Sequence, residues 1–128
     1  MEINLLAVLA AAISAFFVGG VWYAPFAFGT VWQREAGVDI ADSNPALIFG
    51  GSFVLALIAA FVFAMFLGPQ PSLALGVGAG FAAGSCWVAT SFGINYLFAR
   101  RSVKLFLIDG GYHTVQFTLY GLILGLWH

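Results

Sequence analysis

Four apolar runs dominate the chain, at about residues 3–23, 45–67, 73–98 and 103–127. Each matches the roughly 20 residues that a helix needs to cross a hydrocarbon core of about 30 Å. Inside a bilayer every backbone N–H and C=O must be satisfied within the segment or in a closed barrel, so runs of this length favour helices. Composition points the same way. The 128 residues are 62% hydrophobic and 7% charged, against about 25% charged in soluble domains. A soluble fold would have too little polar surface to cover itself. The expected fold is all-α and integral to the membrane: a single domain over residues 1–128, built as a compact four-helix transmembrane bundle.

The breaks between runs fit that reading. Asn44-Pro45 offers an N-cap followed by proline at the first helical position. GPQPS, residues 68–72, is short enough to be a tight turn between antiparallel helices. The first run lies at the N-terminus but lacks the basic n-region of a signal peptide, and three further runs follow, so it reads as a retained helix. Arg34 lies between the first and second runs, and Arg100, Arg101 and Lys104 between the third and fourth; these are all of the basic side chains. With four spans both basic loops share one side. The positive-inside rule places that side in the cytoplasm and both termini outside. The first loop, with its stretch PFAFGTVWQREAG, mixes aromatic and charged residues. It is expected to form a short helix on the cytoplasmic interface, with a plain ordered loop as the alternative.

Small residues recur at four-residue spacing on every run. The rows are Ala7, Ala11, Ala15 and Gly19; Ser52, Ala56, Ala60, Ala64 and Gly68; Ser72, Gly76, Gly80 and Gly84; and Gly121 with Gly125. Lipid supplies no hydrophobic drive between helices, so close backbone approach along such rows is what brings them together. The Gly76/Gly80/Gly84 ridge is the most specific. GVGAG, residues 76–80, lies inside a span with no preceding strand, which removes it as a nucleotide-binding fingerprint.

Polarity inside the spans concentrates in the fourth run. Asp109, Tyr112, His113, Gln116 and Tyr120 fall within an arc of about 100° on a helix. A charge at that depth costs at least about 2.5–3.5 kcal/mol against lipid, so the row must face protein or water. Asn95, Ser91 and Thr90 from the third run and Ser14 from the first are possible partners. In a structural reading, Arg100, Arg101 or Lys104 reaches Asp109, and His113 bonds Asp109 one turn away. In a functional reading, the Asp109/His113 pair exchanges protons along an ion path. Trp22, Tyr23, Trp32, Tyr96 and Trp127 fall near span ends, where aromatic rings suit the headgroup zone. Pro25 ends or kinks the first helix. Trp22 and Tyr23 are then interfacial anchors, or the lining of a vestibule with Asp109 at its base. Trp87 is deeper and reads as a packing residue.

Several functions are disfavoured. A formal net charge of −1 provides no basic face for nucleic acid. Cys86, the one cysteine, cannot form an internal disulfide and reads as a packed, inert thiol. One histidine and one aspartate are too few for a closed metal site unless subunits share it. No nucleophile is paired with a base, so neither enzyme activity nor a cofactor is expected. Small multidrug exporters place a glutamate inside their first helix; here the sole intramembrane acid is on the fourth.

Two blocks carry a family likeness: GGVWYAPFAFGTVWQ, residues 19–33, and INYLFARRSVKLFLIDGGYH, residues 94–113. With Trp22-Tyr23-x-Pro25, Gly29, Trp32, Asn95-Tyr96 and Asp109-x-x-Tyr112-His113, the chain resembles the small bacterial membrane proteins of domain of unknown function 1761. The resemblance implies a four-helix protein of a bacterial cytoplasmic membrane and no particular activity. Two functions stay open: a proton- or ion-linked transport or channel-like protein using the polar row, or a non-catalytic structural or accessory subunit. Either is expected to work in the lipid bilayer as a homo-oligomer or with a membrane-protein partner.

Overall fold

The computed structural model describes residues 2–128. Among them the chain forms five helices and no strand: α1 (Leu5–Trp22), α2 (Gly29–Ala36), α3 (Pro45–Leu67), α4 (Leu73–Phe98) and α5 (Val103–Leu126). A single 3₁₀ turn, Ile40–Asp42, lies between α2 and α3. Each long helix starts on a side-chain cap. Asn4 accepts from the amides of Leu6 and Ala7, Asn44 from Leu47, Ser72 from Leu75 and Ser102 from Leu105. These caps satisfy amides that the first helical turn leaves open. Pro45 follows Asn44 at the first position, as the sequence suggests.

Three helices are long and apolar enough to cross a membrane: Leu5–Trp22, Pro45–Leu67 and Leu73–Phe98. The fourth expected span differs. α5 has the length, 24 residues, but its polar row dilutes its apolar character. α5 meets α1, α2, α3 and α4, and it buries Leu105, Ile108, Asp109, Gly110, Gln116, Tyr120, Gly121 and Leu124. A helix enclosed by other helices can carry polarity that a lipid-facing one cannot.

The α4–α5 seam is glycine against backbone. A Cβ at Gly76 would overlap the Gly121 carbonyl, one at Gly80 the Phe117 carbonyl, and one at Gly84 the His113 carbonyl. Gly125 lies close to Leu73. The expected ridge is therefore the contact surface, and the absent side chains set the helix separation. α1 and α3 meet through small residues as well: Ala7, Ala11 and Ala15 are buried, as are Ala56, Ala60 and Ala64. The α3 row is shorter than expected, because Ser52 is exposed and Gly68 caps the helix at φ 84°.

At Gly84–Val88, where the glycine ridge ends, α4 widens into a π turn. Trp87 and Cys86 lie on the outer side of this turn. Contrary to their reading as packed residues, Trp87 is 63% exposed and the Cys86 thiol is exposed. The face that packs here is the glycine face, and it turns these two side chains outward.

Candidate functional site

The polar site begins with a hook at the end of α1. The amide of Tyr23 closes the helix on Gly19, the amide of Phe28 returns to the Trp22 carbonyl, and the amide of Gly29 donates to Ala24. Gly29 fits against the carbonyls of Tyr23 and Ala24 where a Cβ has no room. Pro25 lies exposed at the bend and contributes no donor to it. The hook points α2 back across the helix ends. The short helix expected in the first loop is thus present, and it carries Trp32 inward.

Three aromatic side chains converge on Asp109, which is 6% exposed. Tyr23 Oη donates to Oδ1 at 2.6 Å and Trp32 Nε1 donates to the same oxygen at 2.9 Å. Tyr96 Oη, from α4, donates to Oδ2. Beside them, Trp22 Nε1 donates to the Ile108 carbonyl at 2.9 Å. The Tyr23 ring meets Trp32 and Tyr112 edge-on, with centroids 5.6 and 5.5 Å apart. Donors from α1's end, α2 and α4 are the partner set that a buried carboxylate requires.

The remainder of the row forms a separate network. Tyr112 Oη crosses to α1 and donates to the Ala15 carbonyl at 2.9 Å, its ring lying over Gly19. His113 Nδ1 pairs with Gln116 Oε1, and Gln116 Nε2 donates to Tyr120 Oη at 2.6 Å. Tyr120, fully buried, donates to the Ala56 carbonyl of α3 at 3.2 Å. The His113 ring stacks on Phe92 with centroids 5.0 Å apart and planes 16° apart.

Several expected pairings are replaced by others. His113 does not bond Asp109, because aromatic donors occupy that carboxylate and His113 turns to Gln116. No arginine or lysine pairs with Asp109 either. Arg101 Nη1 donates instead to the Ala36 carbonyl at 3.2 Å, while Arg100 and Lys104 are exposed. Ser14, Thr90 and Ser91 return to carbonyls of their own helices, at Ala11, Cys86 and Trp87 respectively. A hydroxyl inside a helix has such a carbonyl within reach one turn back. Asn95 is exposed. Conversely, sequence reading set Trp22 and Tyr23 near Asp109 only as the alternative lining of a vestibule above it, kept Trp32 and Tyr96 at the interface, named none of the four as a donor to Asp109 or its helix, and did not single out Phe92. The available signal was that Asp109 needed donors and that aromatic N–H and O–H groups lay at its end of the spans.

Among the described residues, every buried side-chain nitrogen and oxygen has a hydrogen-bond partner. No cluster of three or more His, Cys, Asp and Glu side chains suits a metal ion there. An apolar groove of about 300 Å³ lies between α3 and α4, lined by Phe63, Phe66, Leu75, Ala79, Cys86 and Trp87 among others; Asp109 and His113 are not part of it.

The family model described as Protein of unknown function (DUF1761) matches residues 6–125. The chain belongs to this family. No curated protein and no solved structure matches it. Both blocks of the DUF1761 likeness therefore acquire a place in one structure. Trp22, Tyr23, Gly29 and Trp32 build the hook, and Tyr96 and Asp109 complete the cluster that it closes on.

Proposed function

We propose that this DUF1761 chain is a four-span integral protein of a bacterial cytoplasmic membrane, with both termini outside, that serves as a non-catalytic structural or accessory subunit. The observation that carries the proposal is the saturation of Asp109 by Tyr23, Trp32 and Tyr96. An ion path needs its titrating group open to water; a packing element needs it satisfied by protein. The chemistry of the second network also opposes conduction. Gln116 separates His113 from Tyr120, and a carboxamide does not readily relay protons between its oxygen and nitrogen.

Two features support the topology. α5 buries Asp109, Gln116 and Tyr120 against the other helices, which suits a fourth span despite its polarity. Arg101 reaches the Ala36 carbonyl, so the two basic loops lie at one end, as positive-inside requires of them. α3 is the least buried of the apolar helices, and its free face is where a second copy or a membrane-protein partner would sit. The deciding measurement is proton flux into proteoliposomes under a pH gradient, beside co-purification in mild detergent. Flux no greater than in empty vesicles, with a partner or second copy retained, is the expected result. Flux that disappears in a folded Asp109→Asn variant would establish transport instead.

A further inference from the structure

The hydrogen-bond chain from Ala56 to His113 has a fixed direction. Its far end is a backbone carbonyl, which can only accept, so the Tyr120 hydroxyl proton is committed to it. Tyr120 Oη must then accept from Gln116, which assigns Nε2 to the tyrosine and leaves Oε1 facing His113. An amide oxygen only accepts, so Nδ1 of His113 carries the proton. In the neutral ring Nε2 is then left with a bare lone pair. Among the described residues Nε2 has no hydrogen-bond partner, and since no buried side-chain nitrogen lacks one, this atom reaches the molecular surface.

Its surroundings restrict what could approach. His113 lies roughly 15 Å along α5 from the helix start, at 1.5 Å per residue, close to the middle of a core about 30 Å thick. The ring is held flat against Phe92 and edge-on to Tyr112. Water is scarce at that depth, and an unpaired acceptor is costly there. A matching ligand is apolar enough to dissolve in lipid and carries a hydrogen-bond donor.

We infer that His113 is the acceptor of a ligand site, its Nε2 taking a hydrogen bond from the hydroxyl of an apolar molecule dissolved in the bilayer. Tyr120, Gln116 and the Ala56 carbonyl position it by holding one tautomer. The site rests on α5 being the fourth span proposed above, but not on the chain serving as an accessory subunit, because it requires neither flux nor a protein partner.

The test is ¹⁵N NMR of the histidine rings of the full chain in lipid bilayers, with His128→Gln used to assign His113. The expected spectrum has Nδ1 protonated and Nε2 unprotonated. Titration with 1-decanol should move the Nε2 resonance saturably, whereas decyl methyl ether, which lacks the donor, should not. Tyr120→Phe frees the Gln116 amide to flip and should give a mixture of tautomers. A proton on Nε2 in the unaltered chain overturns the inference. So does an absent decanol response, an equal response to the ether, or a single unchanged tautomer in folded Tyr120→Phe. If that variant fails to fold, the tautomer and the decanol titration of the unaltered chain decide.

Discussion

Asp109 joins the end of α1, α2 and α4 to α5 through one carboxylate, so single atoms at its rim should have measurable weight. Tyr23→Phe and Tyr96→Phe each remove one donor to a charged acceptor, worth about 1.5–3 kcal/mol. Each should lower stability by that order in reversible unfolding from mixed micelles. Asp109→Asn keeps the size and loses the charge that three donors address. Its amide nitrogen cannot accept, so at least one of the three donors loses its partner and the others lose a charged acceptor; it should destabilise by about 3 kcal/mol or more, and by more than either tyrosine variant. If Asp109→Asn proves neutral, the carboxylate does not hold these segments together. That Asp109 must face protein or water, and not lipid, was legible from its depth alone. Which groups would meet it was not, because the long basic side chains near it in sequence were as plausible as the aromatic ones. The hook decided: it brings rings from residues 23 and 32 to a carboxylate at 109, a separation that local pattern does not encode.

At the scale of elements, the α4–α5 seam rests on missing side chains. Gly80→Ala would push a methyl group into the Phe117 carbonyl, while Gly78, two residues away, has nothing within 4 Å of a built Cβ. Overpacking a tight contact costs about 1–3 kcal/mol. Replacing an open helical glycine by alanine instead gains up to about 1 kcal/mol by the water-derived scale. The two variants should therefore shift the unfolding midpoint in opposite directions. The glycine spacing made this seam legible in advance. The π turn at Gly84–Val88 was not, since no proline or other local marker announces it. It lies where Gly84 packs directly on the His113 and Thr114 backbone of α5. Cys86 and Trp87 point outward from the same turn.

For the whole molecule, α5 lacks the apolar character of the three candidate spans but packs against every other helix, and the four-span proposal turns on it. Two outcomes check the topology. Replacing Arg100, Arg101 and Lys104 by serine removes most of the basic charge and should give a mixed orientation, read by reporters fused to the C-terminus. Cys86 is exposed within an apolar helix. A water-soluble maleimide should modify it readily in detergent and slowly in intact membranes; rapid reaction in membranes would place that face of α4 in water.

From the sequence came the long apolar runs, the helices and their approximate ends, and the seam on which α4 and α5 meet. Those properties follow from run length, caps and the spacing of small residues, which act within one helix or along one face. The partners of each polar group were decided only in the tertiary structure. A carboxylate, an imidazole and an amide can each be satisfied in several ways, and the choice depends on which donors arrive from other segments. Asp109 took three aromatic donors, and His113 was left to Gln116 and the ring of Phe92.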